Sequence, residues 1–321
     1  MGAGGGPLKF WLRRLFMLVL TLFFVTIITF VAFQIIPGDP AQLMLGTEAD
    51  PQAVETLRHQ LGYDQPLLQR YGSWIFQLLQ GDLGSSIRFQ QSVSSLISAR
   101  FSVTLTIAFI AMVVAPLVAF PLGMLAARYS RRWPDYIISM VNQVGMAIPS
   151  FWLGMVVILL FSVVFQWFVP LHFVPWSEDP WLAIRSLILP ALIVAIPPTA
   201  VLTKMIRATM LEQLRSDYVV TGLSKGLSHW MVMVAHVLRN AMLPVITVMG
   251  MSMAELLAGS IVVEQVFGLP GVGRLLLSSI GYRDLPVVQG MVVIFTTLVI
   301  LVNFMVDLLY HRLDPRVHVG E

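Results

Sequence analysis

The chain has no cysteine, so it can build neither a disulfide framework nor a thiolate metal site, and its redox compartment stays open. Charge is scarce too: 12% of residues are Asp, Glu, Lys or Arg, against roughly 25% in ordinary soluble domains. Gly268 and Gly273 have phosphate-loop spacing, but Arg274-Leu275 stands where Lys-Ser/Thr is required, so a nucleotide site of that kind is excluded. No HExxH occurs, and His59, His172, His229, His236, His311 and His318 are dispersed along the chain. These gaps argue against an enzyme. What the chain has instead is apolar mass: 57% of its 321 residues are hydrophobic and the mean hydropathy is +0.81. That composition describes one polytopic, all-α integral membrane domain with lipid as its surroundings. The pI of about 9.4 comes from basic residues scattered near membrane edges rather than clustered, which excludes nucleic acid as a partner. The 18 methionines are equally scattered and read as packing filler rather than a soft-metal site.

A helix crosses the hydrocarbon core with about 20 predominantly apolar residues. Charge-free windows lie at 15–38, 101–127, 136–177, 186–203 and 285–306, and a sixth at 240–263 is interrupted only by Glu255. Lys9, Arg13 and Arg14 precede the first, whose apolar run is longer than a signal-peptide core of about 7–15 residues, so it reads as a retained span. The window 136–177 could hold one span or two. One span gathers Lys9, Arg13, Arg14, Arg128, Arg131, Arg132, Lys204, Arg207, Arg215, Lys225, Arg239, Arg312 and Arg316 on a single side, as the positive-inside rule requires. The expected architecture is therefore six transmembrane helices with both termini cytoplasmic. It divides into a disordered N-terminus 1–9, a first transmembrane helix 10–36 and an extracytoplasmic helical segment 37–98. A five-helix transmembrane core 99–310 follows, with a cytoplasmic loop 208–240, and then a cytoplasmic tail 311–321. Within the outer segment, Asp50-Pro51 and Gln65-Pro66 each open an amphipathic helix.

Two groups of polar residues stand out. Met210 to Pro244 interrupts the lipid-like sequence, yet it is too rich in Leu, Val, Met and Trp for a flexible linker, so it reads as a folded element outside the bilayer. Inside the spans, Asn142, Gln143, Ser150, Glu255 and Glu264 are candidates to line a polar substrate path, since charges at membrane depth are costly. Pro149, Pro190, Pro197 and Pro198 break helical bonding within spans, which is tolerated around a cavity or hinge. A secondary transporter should show paired repeats, and none is visible. An intramembrane enzyme would need a convergent His/Asp/Ser set, which is not found.

From about residue 8 to residue 316 the chain resembles the inner-membrane permease subunits of bacterial ABC importers for dipeptides, oligopeptides and nickel, in particular the first permease of the pair. The resemblance rests on Ile36-Pro37-Gly38-Asp39-Pro40, Asp64-Gln65-Pro66-Leu67 and Gly81-Asp82-Leu83-Gly84-Ser85-Ser86. It continues with Val263-Glu264, Phe267, Pro270-Gly271-Val272-Gly273-Arg274, Arg283-Asp284, Pro286 and Gln289-Gly290. The central stretch resembles the family's cytoplasmic coupling loop in Asp217-Tyr218-Val219, Lys225-Gly226-Leu227-Ser228 and Leu238-Arg239-Asn240-Ala241, with Gly222 standing where the branch usually has alanine. The resemblance implies a type I ABC importer permease fold and no cofactor bound by this chain. It further implies a homologous second permease, two cytoplasmic ATPases using ATP and Mg, and an extracytoplasmic substrate-binding protein. It also implies coupling contacts at Asp217, Tyr218, Gly222, Leu223, Lys225, Gly226 and Leu227. The cargo would be di- or oligopeptides, with nickel, a metal chelate or glutathione as the alternative.

Overall fold

Apolar runs become helices here because a backbone in lipid must satisfy its own hydrogen bonds. The computed structural model describes residues 7–35, 41–42, 49–60, 62–164 and 173–313. The Ile36–Pro40 signature, the glycine-rich Met1–Gly6 and the end of the 311–321 tail lie outside the described residues. Among the described residues there is no β-strand, only an isolated bridge between Ser85 and Ser92. The helices are α1 Pro7–Ile35, α2 Pro51–Gln60, α3 Leu67–Leu79, α4 Val93–Arg128, α5 Trp133–Ala147 and α6 Ser150–Ile158. They continue as α7 Pro180–Gln213, α8 Asp217–Ser224, α9 His229–Val232, α10 Leu238–Val266, α11 Val272–Gly281 and α12 Leu285–Leu313. Five of them are long and apolar enough to cross a membrane: α1, α4, α7, α10 and α12. The pair α5 and α6, bent by 98°, provides a sixth if it acts as one span. The bend has a local cause. Ile148, held extended at φ −87°, ψ 121° by the proline that follows, ends α5, and Pro149 then precedes α6 without a donor to continue the ladder.

The chain folds as two units. The first joins residues 1–101 to 275–301, and the second holds 102–274 with 302–321. In the first, Asp50 starts α2 by accepting from the Gln52 N–H at 3.1 Å, and α3 follows Pro66. Helix α3 packs on α1 through Tyr71 and Trp74, whose rings lie 5.3 and 6.0 Å from that of Phe30. The segment before α4 is bound to the start of α12, 198 residues away in sequence. Asp284 accepts from Ser86 Oγ at 2.5 Å and from the N–H groups of Ile87 and Arg88 at 3.3 and 3.4 Å. The Arg88 guanidinium sits over the Tyr282 ring at 3.1 Å. Gly290 completes this junction, since a Cβ there would lie 3.0 Å from Val93 Cγ1.

In the second unit α7 is the central helix, packed against α5 and α10. Helix α4 presents Ala111, Ala115, Ala119, Gly123 and Ala127 at four-residue intervals, all buried. Such small residues let backbones approach closely within a membrane. At Gly123 the approach is so close that a Cβ would lie 2.7 Å from Ile206 Cγ2 on α7. The core continues through Ile107, Leu187, Leu202, Ile206 and Met210, all fully buried. Helix α7 runs on well past the charge-free window 186–203. Its 34 residues span about 51 Å at about 1.5 Å per residue, more than the roughly 30 Å of a hydrocarbon core. The extension is possible because Arg207 does not face lipid alone: it clamps buried Asp135, at the start of α5, through Nε and Nη2 at 2.5 and 2.7 Å. The same carboxylate accepts from the Arg131 N–H at 2.9 Å.

Candidate functional site

At the end of α7 the chain turns into the segment singled out as a folded interruption. Tyr218 donates its hydroxyl to Gln213 Oε1 at 3.0 Å, tying α8 to α7. Val219 and Gly222 form the buried face of α8, with Tyr218, Leu223 and the following Leu227 half-buried on the core. Gly222 permits this packing: a Cβ there would meet Val232 Cγ2 at 3.3 Å. The helix then closes at Gly226, left-handed at φ +82°. Leu227 N–H bonds Gly222 C=O at 3.2 Å and Gly226 N–H bonds Leu223 C=O at 2.9 Å, the paired bonds of a Schellman end. Ser228 caps the next turn, its Oγ accepting from Met231 N–H at 3.2 Å. A π-helical stretch, Met233–Val237, leads into α10. Helix α10 is thus joined to α7 by a compact, internally bonded element.

The outward side of that element differs from the sequence expectation. Of the seven expected coupling residues, Asp217, Lys225 and Gly226 are exposed, whereas Tyr218, Leu223 and Leu227 turn to the core and Gly222 is buried beneath them. The apolar groups facing outward are Val220, Trp230 and Met231, 64%, 51% and 52% exposed. Sequence reasoning did not name them, and an element apolar on both sides carries no polarity signal that would have. Arg128 lies 5.7 Å from the Trp230 ring, within cation–π range.

The five expected path residues are not gathered into one site. Asn142 is buried, Gln143 is exposed and Ser150 is half-buried as the first residue of α6. Glu255 is exposed on α10 in a stripe with Met251, Ala258 and Val262. Glu264 is different: it is fully buried and its carboxylate is spent within the fold. Thr104 donates to Oε1 at 2.6 Å, while the N–H groups of Gly273 and Arg274 donate to Oε2 at 2.7 and 3.3 Å. Thr104 Oγ1 in turn accepts from Val272 N–H at 2.9 Å. The glycine loop with phosphate-like spacing therefore cradles a carboxyl group, and that group is the chain's own, at the N-terminus of α11. Glu264 braces this turn instead of lining a path. Among the described residues no group of three His, Cys, Asp or Glu is placed to hold a metal ion.

The comparisons with known proteins bear on this arrangement. Residues 119–319 match the family described as binding-protein-dependent transport system inner membrane component, and residues 7–108 match the N-terminal model of the same kind of membrane component. The chain belongs to that family. It is an inner-membrane permease of an ABC importer. It is 41% identical over 307 residues to a putative peptide transport system permease protein of Brucella suis biovar 1, covering 96% of this chain and 98% of the relative. It is 40% identical over 310 residues to the glutathione transport system permease protein GsiC of Escherichia coli O6:H1, covering 97% and 99%. Among solved structures, a crystal structure of an amino acid ABC transporter with histidines matches with a TM-score of 0.50 at 19% identity, covering 68% of this chain and 94% of that one. At that identity the likeness concerns the fold, an ABC transporter permease fold.

Proposed function

We propose that this permease takes up small peptides, di- and oligopeptides or glutathione-like compounds, as one of two homologous membrane subunits of an importer driven by ATP. The observation that carries the reading is the near-full-length similarity to permeases named for peptide and glutathione transport. Two partner ATPases on the cytoplasmic side use ATP and Mg, and an extracytoplasmic binding protein delivers the cargo; this chain binds no nucleotide. The α8–α9 element is the ATPase docking site, engaged through Val220, Trp230 and Met231 with Lys225 and Asp217 at its rim. Its attachments favour force transmission. Tyr218 is bonded to the end of α7, and the π-helical stretch continues directly into α10. Movement of α8 as a rigid body would therefore displace both long helices. The exposed stripe of α10 around Glu255, with Gln143 and Ser150, is the side that faces the pathway and the second permease. An exposed carboxylate in a span needs water or protein beside it, because lipid contact costs about 2.5–3.5 kcal/mol on insertion scales.

The test is reconstitution. Tagged permease should co-isolate with an ATPase subunit, and ATP hydrolysis should rise when a peptide-loaded binding protein is added. Uptake of a labelled dipeptide and of labelled glutathione into those vesicles separates the two cargo classes. Transport by the chain alone on a proton gradient would refute the proposal.

A further inference from the structure

Helix α3 has more apolar surface than the fold uses. Tyr71 and Trp74 sit on α1, while Leu68, Phe76 and Leu79, 84%, 63% and 82% exposed, form a second apolar face about a quarter-turn or more away. Gln69, Ser73 and Gln77, all exposed, occupy the remaining arc, and Arg70 is the helix's one charged residue. The level at which α3 is held decides what can cover the second face. Tyr71 Oη is 3.0 Å from Thr26 Oγ1, and its ring and that of Trp74 pack on Phe30. Both residues lie within Leu15–Ala32, the apolar window of a membrane span. Thr26 stands about 9 Å short of Ala32 at about 1.5 Å per residue, so α3 is fastened to α1 beside a part of it that is surrounded by lipid. At that same level α1 itself exposes Phe23, Phe24, Ile28 and Val31.

We propose that α3 is an interfacial membrane helix, with Leu68, Phe76 and Leu79 embedded in the acyl–headgroup boundary of the bilayer and Gln69, Ser73 and Gln77 toward water. Tyr71 and Trp74 suit that depth, since amphipathic rings concentrate at the membrane–water interface. A helix with an apolar face of Leu and Phe and a polar opposite arc is the kind that lies in the interface plane. The lipid contact would fix the depth of the segment between α1 and α4. It depends on membrane residence, not on the cargo or the partner ATPases.

The absence of cysteine makes the test direct, because each introduced thiol is unique. The full chain carrying Leu68→Cys, Phe76→Cys, Leu79→Cys, Gln69→Cys or Gln77→Cys, one at a time, is nitroxide-labelled and reconstituted in phosphatidylethanolamine–phosphatidylglycerol vesicles. Relaxation by oxygen, which partitions into lipid, is compared with relaxation by a water-soluble nickel chelate. The expected result is a several-fold excess of oxygen over chelate contact at positions 68, 76 and 79, and the reverse at 69 and 77. If Phe76→Cys lowers folded yield, the two leucine positions carry the measurement. Chelate contact at 68 and 79 equal to that at 69 and 77 would overturn the proposal. So would shielding from both reagents, or shielding that develops only when a soluble binding protein is added.

Discussion

Glu264 and Gly273, nine residues apart, meet through a 2.7 Å bond from the glycine N–H to the carboxylate. Around that bond the space is closed. A Cβ on Gly271 would lie 2.2 Å from Glu264 Oε2, and one on Gly273 would lie 2.4 Å from Ile261 Cα. Both glycines are required by proximity, while Gly268, left-handed at φ +65°, ends α10 with the same paired bonds that end α8 at Gly226.

Gly271→Ala should therefore destabilise the permease by about 2–3 kcal/mol through overpacking. Glu264→Gln, which keeps the shape and one acceptor oxygen, should cost about 1 kcal/mol, and Glu264→Ala more because buried donors lose their partner. Placing Gly271→Ala in the Glu264→Ala background should cost much less than in the parent, since the obstructing carboxylate is gone. Thermal unfolding of the four purified variants in detergent reads the coupling. Additive losses would show that the carboxylate and the glycine do not compete for one space.

The Asp135–Arg207 pair makes a second prediction. Asp135 is 2% exposed and accepts two bonds from the guanidinium. Arg207→Ala leaves that charge buried with only Arg131 N–H and Ser139 nearby, a loss of about 3 kcal/mol or more. Arg207→Lys should recover only part of it, because an ammonium cannot match both oxygens in a planar fork. Asp135→Asn combined with Arg207→Gln should be less damaging than Arg207→Ala alone, again measured by thermal unfolding. A double variant as unstable as the single one would contradict this account.

Much of the fold can be read from periodic apolar runs, and the exceptions have physical causes. The windows 101–127 and 285–306 each fall within a helix, as do residues 15–35 of the first window, and Asp50-Pro51 and Gln65-Pro66 do mark helix starts. The end of α7 is not legible in the same way. Lys204 and Arg207 close a charge-free window, but a helix stops where its hydrogen bonds stop, and the partner that absorbs Arg207 is 72 residues away. The bonding of Glu264 is illegible for the same reason: its partners Thr104 and Gly273 adjoin it only in space. On α8, sequence spacing identifies an ordered element but not which apolar side faces out, because Val219 packs inward while neighbouring Val220 is exposed.

Gly222 poses a contest that the structure makes quantitative. Alanine in a helix interior is favoured over glycine by about 1 kcal/mol. Against that gain stands Val232 Cγ2, 3.3 Å from where the methyl would sit, close enough that Val232 must yield by a few tenths of an ångström. Gly222→Ala should accordingly leave stability within about 1 kcal/mol of the parent. Val232→Ala should be destabilising alone, as loss of a buried side chain, yet less so in the Gly222→Ala background, where the new methyl fills part of the void. A double-mutant cycle with an interaction term near zero would refute the contact.

Gly226 separates backbone strain from docking. Its φ of +82° disfavours any side chain, but nothing lies within 4 Å of the position a Cβ would take, so a side chain there projects outward beside exposed Lys225. Asparagine tolerates the left-handed region better than other non-glycine residues and often ends helices in this way. Gly226→Asn should retain most uptake. Gly226→Trp should insert into the membrane with normal yield but lose ATPase co-isolation and uptake, because an indole would stand in the proposed docking surface. Val220→Asp and Met231→Asp, which change neither the turn nor the buried face, should weaken co-isolation in the same way. Normal uptake by Gly226→Trp, or equal loss in Gly226→Asn, would move the docking surface away from α8: the first because the obstruction has no effect, the second because strain alone explains it.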